Sequence, residues 1–279
     1  MHIQSIGAVT EQRLWEAGLS DWNAFTDDIS IPLSGKRKYF LQKGIDESRR
    51  HLSHNNPGYF SRFLPANQSW RFFPEFRNST AYLDIETTGL DRHYQTITTI
   101  ALYDGRDVKT YVYGRNLDDL IDEIYKYKVI VTYNGKCFDV PFIESFFNIR
   151  LNHAQIDLRY VLHSLGFRGG LKGCERQLGL DRGDLRDVDG FFAVLLWDEF
   201  VKTASRQTLE TLLAYNVQDA ITLEHLMVTA YNLKLKETPF CKHLLIEESK
   251  PPANPFRADP ETIDRIKGRA QYWSSDRWY

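Results

Sequence analysis

Only three cysteines occur in the 279 residues, Cys137, Cys174 and Cys241, and they are widely separated with no C-x-x-C pair among them. A zinc ribbon or disulfide framework is therefore not expected, and the thiols are most simply free in a reducing compartment. Long apolar runs are also missing. The longest, Phe191-Phe192-Ala193-Val194-Leu195-Leu196-Trp197, is far short of the roughly 20 residues of a membrane span, so no membrane association is expected. No basic-then-apolar leader precedes Gln4, Glu11 and Gln12, which makes a cytoplasmic setting the default expectation. Neither sign of charge dominates, since the formal net charge is -2. With 42% apolar and 26% charged residues, the composition is that of a globular chain able to bury one large domain or one domain with an appendage.

What the net charge conceals is its distribution. Ile31 to Ser79 hold nine lysines and arginines against three acids, leaving the rest of the chain correspondingly acidic. A basic stretch beside an acidic one suits a metal-dependent enzyme acting on phosphodiesters, and is also common without function. The same stretch carries Tyr39, Phe40, Tyr59, Phe60, Phe63, Trp70, Phe72 and Phe73, residues that either stack on bases beside a phosphate-tracking groove or fill a core. Residues 1–30 read as two short helices, one around Glu11-Gln12-Arg13-Leu14-Trp15 and one capped by Ser20. Ile6-Gly7-Ala8-Val9, Leu14 and Gly18-Leu19-Ser20-Asp21 resemble a helix-hairpin-helix unit, a DNA-backbone binder, with a simple packing element as the alternative.

From Thr80 the pattern becomes β-rich. Strands are predicted over 80–86, 95–103 and 107–113, the last two joined at Asp104-Gly105. A helix follows at 116–127, then a strand over 128–134, a helix from Val140 and a short strand near Gln155-Ile156. Helices near 158–165, 171–178, 190–202 and 206–234 complete an α/β domain whose mixed sheet has parallel and antiparallel parts. The proline-rich tail from Ser249 reads as a linker around a helix at 260–270, with Trp273, Trp278 and Tyr279 free to dock on the body or on a partner. Three regions result: 1–79, 80–236 and 237–279.

Three acidic segments stand out. Asp84 and Glu86 lie at i and i+2 on the first strand, so both project to one face while Leu83 and Ile85 pack behind them. Two such neighbouring anions repel unless a cation joins them. Asn134-Gly135-Lys136-Cys137-Phe138-Asp139 carries an acid from the end of a strand into a helix, at the carboxyl edge of the sheet. Tyr215 and Asp219, at i and i+4, place a phenol and a carboxylate on one helix face among apolar neighbours.

Together these segments resemble the three exonuclease motifs of the DEDD group in the ribonuclease H-like superfamily, over residues 80 to 235. Asp84-Ile85-Glu86 is similar to the first motif, Asn134 through Asp139 to the second and Tyr215 through Asp219 to the third. The Tyr-x-x-x-Asp form marks the tyrosine subtype, shared with family B DNA polymerase proofreading domains and stand-alone predicted exonucleases. The Gly135-Lys136-Cys137 spacer departs from the polymerase form, and His225 lies too far along the helix for the histidine subtype. The resemblance implies a ribonuclease H-like mixed sheet flanked by helices, with a small mainly helical N-terminal extension. It also implies a 3′–5′ exonuclease holding two divalent ions, Mg²⁺ or Mn²⁺, roughly 3.5–4 Å apart.

Under that resemblance Asp84 bridges both ions, Glu86 and Asp219 complete one site, Asp139 supports the other, and Tyr215 orients the attacking water. Thr87, Asn134 and Lys172 are further candidates for substrate contact, although turn formation explains Thr87 equally well and Asn134 slightly better. Asp157 resembles an accessory acid of the polymerase exonucleases and also fits a helix N-cap. Arg168, Lys172, Arg176 and Arg182 form either a phosphate track or a solvated surface. The expected partner is nucleic acid, with single-stranded DNA favoured and RNA open, and a helicase or DNA-repair partner conceivable. A structure-specific endonuclease and a binding module with a vestigial site are the competing functions.

Overall fold

A computed structural model describes residues 1–26, 30, 31, 33–186, 188–248 and 251–275, with backbone only from 269 onward. The side chain of Trp273, and all of Trp278 and Tyr279, lie outside this description. In chain order the elements are α1 (Ala8–Glu16), α2 (Gly35–Ser53), α3 (Pro57–Phe63), α4 (Phe73–Phe76), β1 (Thr80–Thr87), β2 (Ile97–Tyr103), β3 (Val108–Val112) and α5 (Leu120–Ile124). There follow β4 (Val129–Thr132), α6 (Asp139–Phe147), β5 (Ala154–Asp157), α7 (Leu158–Ser164), α8 (Gly170–Gln177), α9 (Gly190–Thr203), α10 (Arg206–Leu235) and α11 (Pro260–Ser275).

The five strands form one mixed sheet in the order β3-β2-β1-β4-β5. The β2–β3 hairpin pairs antiparallel to β1, whereas β4 and β5 run parallel to it. The α/β class and mixed sheet expected from the sequence are those observed. Strand β1 is central, and its alternation divides the core. Tyr82 shares one cluster with α10 residues Val217, Ala220 and Leu223, while Ala81, Leu83 and Ile85 pack with Leu120, Ile124, Val140, Phe142 and Ile143 of α5 and α6. Asp84 and Glu86, in phase with Tyr82, therefore face α10. That helix is apolar around most of its circumference and correspondingly buried, from Thr208 to Leu235.

Several expectations change in detail. The second N-terminal helix is only a 3-10 turn at Trp22–Ala24, capped by Asp21 rather than Ser20, because the Asp21 carboxylate accepts from the amides of Asn23 and Ala24. The segment 116–127 divides into a 3-10 turn, Leu117–Asp119, and α5. Of the N-terminal aromatics, Phe60, Trp70, Phe72 and Phe73 join Phe76 in the cluster beneath the sheet; Tyr39 and Phe63 are exposed. Stacking surface is thus the minor use of those residues.

The C-terminal segment is no free linker. Asn254 Nδ2 donates to the Ala214 carbonyl at 2.8 Å, the Asp259 amide donates to Thr211 Oγ1 at 2.9 Å, and Ile263 and Ile266 pack among Leu196, Leu209 and Leu213. Helix α11 starts at Pro260 as expected and runs on to Ser275.

One glycine fixes the turn leaving β4. A Cβ on Gly135 would collide with the β-branched side chain of Thr132, which cannot swing away because Thr132 is buried in β4. Gly135→Ala is expected to lower stability by about 1–3 kcal/mol, read as a lower denaturant midpoint at unchanged slope; an unchanged midpoint would refute the tight-turn reading.

Candidate active site and metal centre

The register of β1 against β2 shifts between Glu86 and Thr87. Such an irregularity re-aims side chains where a strand meets its turn. Just beyond it the Thr87 hydroxyl donates to the Gly89 carbonyl at 2.6 Å, and Thr88 closes the loop through Gln95 and Thr96. The Thr87 hydroxyl is thus committed to the turn.

Across from β1, helix α10 presents Tyr215, Asn216 and Asp219. Carboxylate oxygens of Asp84, Glu86 and Asp219 all lie within 4.8 Å of one another. Glu86 and Asp219 are buried and Asp84 is half-buried. Asn216 Nδ2 donates to Asp84 Oδ2 at 2.7 Å and to the Asp84 carbonyl at 3.1 Å, fixing the acid and its backbone together.

Asp139 reaches the same region from the first turn of α6 but stands outside the set of three converging carboxylates. Its approach is set by the turn before it. Asn134 adopts the left-handed conformation, φ 67°, and accepts from Arg159 through Oδ1. The fully buried Asp157 carboxylate accepts from the amides of Asn134, Lys136 and Arg159. Asp157 thereby caps α7 and ties the second motif to it, as the N-cap alternative anticipated, and Asn134 shapes the turn.

These acids disturb one another strongly. Burial raises Asp84 well above the usual carboxylate range, reinforced by Asp219, Glu86 and Asp139; Glu86 is raised likewise by burial, then by Asp219 and Asp139. Asp139 is pushed up to about 7, chiefly by burial, against the opposing pull of the backbone amides of Ile85 and Asp139 itself. Burial also pushes the Tyr215 phenol up, and Asp219, Glu86 and Asp84 add to it.

Two cations answer this charge. Arg182, just before the 3-10 turn Gly183–Leu185, has a buried side chain; its Nη1 lies 2.5 Å from Asp219 Oδ1, while Nε and Nη2 hold both oxygens of Glu175. The Lys172 ammonium stands 5.1 Å from the centre of the Tyr215 ring, with the Arg182 guanidinium 5.9 Å from it. Arg182 is therefore no part of a solvent-facing phosphate track, and Arg168 spends its Nη1 on the carbonyls of His163 and Phe167. Sequence reasoning missed Asn216 and Glu175. The available signal was polarity inside otherwise apolar helix positions, which does not name a partner 132 residues away.

The donor set fits a divalent cation. Clustered hard oxygens suit Mg²⁺ or Mn²⁺, and buried carboxylates so close repel unless protonated or neutralised.

A family model described as the RNase_H superfamily matches residues 81–231. No curated protein matches the chain. Among solved structures the chain is similar to the family B DNA polymerase from the hyperthermophilic archaeon Pyrobaculum calidifontis, at 16% identity and TM-score 0.41, over 56% of this chain and only 26% of the polymerase. It is also similar to Brucella melitensis NrnC, at 19% identity and TM-score 0.40, over 59% of this chain and 78% of that one. NrnC with bound Mg²⁺ matches at 18% identity and TM-score 0.29, over 63% and 94%.

The raised acids give a pH signature. Asp139 is held near 7 when folded and titrates near ~4 when unfolded, so between those values the folded chain carries the extra proton and stability falls as pH rises. Chelated protein is expected to melt at lower temperature at pH 8 than at pH 5.5, and Mn²⁺ to raise the melting temperature more at pH 8, since ligands must deprotonate to bind. A Mn²⁺ effect independent of pH in scanning calorimetry would contradict this electrostatic picture.

Proposed function

The chain belongs to the RNase_H superfamily, and on that premise we propose that it is a metal-dependent nuclease, specifically a 3′–5′ exonuclease of the tyrosine DEDD type acting on single-stranded nucleic acid, DNA in preference to RNA. The observation that carries the proposal is the convergence of Asp84, Glu86 and Asp219 within 4.8 Å, beside Tyr215 and Asp139. Asp84, Glu86 and Asp219 would hold one divalent ion, and Asp139 together with Asp84 a second. When bound, such ions lower the pKa of water and offset charge developing on the phosphoryl and leaving oxygens.

The chain's own residues divide the remaining work. Tyr215 stays protonated at neutral pH because burial and three nearby carboxylates raise it, so its hydroxyl serves to orient water by hydrogen bonding and not to abstract a proton. Asn216 keeps Asp84 in one orientation. Lys172, whose ammonium lies over the Tyr215 ring beside the acids, offers a cation that would pair with a substrate phosphate. Thr87, its hydroxyl already used, would meet the terminal nucleotide through its backbone, and Asn134 would do so only from within its turn. A cytoplasmic setting and a helicase or repair partner complete the proposal.

End-labelled single-stranded and duplex DNA and RNA, incubated with Mg²⁺, Mn²⁺ or EDTA, test this reading. Stepwise shortening from the 3′ end, abolished by EDTA, is expected. Asp84→Ala is expected to lose on the order of 10³-fold in rate and Tyr215→Phe only about 10–100-fold. Discrete internal products would establish an endonuclease, binding without cleavage a binding module, and the reverse order of the two variants would overturn the assigned roles.

A further inference from the structure

We propose that Arg182 is an internal counter-ion that competes with a divalent cation for Asp219, so that loading of the site requires the guanidinium to give up that carboxylate. The proposal rests on the reading of Asp84, Glu86 and Asp219 as ion ligands.

Its basis is the way Arg182 is held. The side chains of Arg182, Glu175 and Asp219 are 6%, 2% and 8% exposed, so their charges are little screened by water. Arg182 gives Nε and Nη2 to the two oxygens of Glu175, the parallel fork that suits a guanidinium best. Only Nη1 remains for Asp219. It approaches Oδ1 to 2.5 Å, yet both atoms are buried without an aligned hydrogen bond. Glu175 is thus the geometric home of Arg182, and Asp219 is its close but unaligned contact.

Charge bookkeeping points the same way. A guanidinium withdrawn from Asp219 keeps its partner in Glu175 and is not left as a lone buried charge, the arrangement that would make withdrawal prohibitive. A monovalent cation touching a ligand oxygen repels a divalent one arriving at the same carboxylate, and does so strongly where the effective dielectric is low. The guanidinium also lies beside the Tyr215 ring, so a shift of Arg182 on loading would be felt at the residue proposed to orient water. Ion affinity and the placement of Tyr215 are then coupled through one side chain.

Calorimetric titration with Mn²⁺ of the full chain, of Glu175→Gln/Arg182→Gln and of Asp84→Asn tests this. The double variant removes both charges of the buried pair together and leaves amides able to hydrogen-bond. It is expected to bind Mn²⁺ about tenfold more tightly than the original chain, because the competitor is gone. Unchanged or weaker binding in a folded double variant would overturn the proposal. Failure of the original chain and the folded double variant alike to bind Mn²⁺, or undiminished binding by Asp84→Asn, would instead overturn the metal-site reading, and the proposal with it. Should the double variant not fold, Mg²⁺ titration of the original chain followed through the ¹⁵Nε resonance of Arg182, assigned with Arg182→Lys, decides the matter. Displacement predicts a saturable shift of that resonance, and an unmoved resonance overturns it.

Discussion

Mutual repulsion among carboxylates at the end of β1 is the constraint around which the surrounding structure is arranged. Asp84, Glu86 and Asp219 are brought together because β1 and α10 pack against each other and both are buried along most of their length. The groups that surround the acids then read as responses to that field. Asn216 donates to one, Arg182 pairs with another, Lys172 approaches from the side, and the amides of Ile85 and Asp139 support the fourth acid. The elevated carboxylate pKa values record burial first and, after it, the repulsion left unanswered by the protein's own groups.

Asp84, Glu86 and Asp219, the acids that converge, were legible in the sequence because local periodicity alone sets the direction of each. Alternation on β1 aimed Asp84 and Glu86 together, and the i, i+4 spacing on α10 did the same for Tyr215 and Asp219. The sheet and most helices were legible for the same reason. Arg182 was not, since nothing in a short loop segment between α8 and α9 distinguishes an arginine that folds inward onto Glu175 from one that points to solvent. Asn216 was hidden differently: it belongs to the third motif, but its partner comes from a strand far away in sequence. The aromatics of the N-terminal region were ambiguous between core and stacking because composition carries no direction, and long-range packing on the underside of the sheet decided for the core.

That packing makes the N-terminal region unequal along its length. Ile3, Ile6, Leu14, Leu19, Ile31, Leu41 and Ile45 form a small cluster of their own, whereas Phe60 through Phe76 belong to the cluster built on β1, β4, β5 and α10. Substitutions in the second group act on the sheet that aims the acids; those in the first act on an outlying lobe. The basic residues of α2 ride on that smaller cluster, which is tied to the sheet through Leu52, Trp22 and the Arg71–Glu11 ion pair.

The strap formed by Asn254, Asp259, Ile263 and Ile266 across α9 and α10 bears on the order in which the molecule is made. Ribosomal synthesis runs from the N-terminus, and early-emerging segments begin to fold first. The first two acids leave the ribosome with β1, but the helix that supplies Tyr215 and Asp219 lacks part of its covering until the strap has emerged and laid its hydrogen bonds on Ala214 and Thr211. In a growing chain the Asp84–Glu86 pair is therefore made well before Asp219, and Asp219 before the strap that braces its helix, so the acids are synthesised in one order and fixed in place in another.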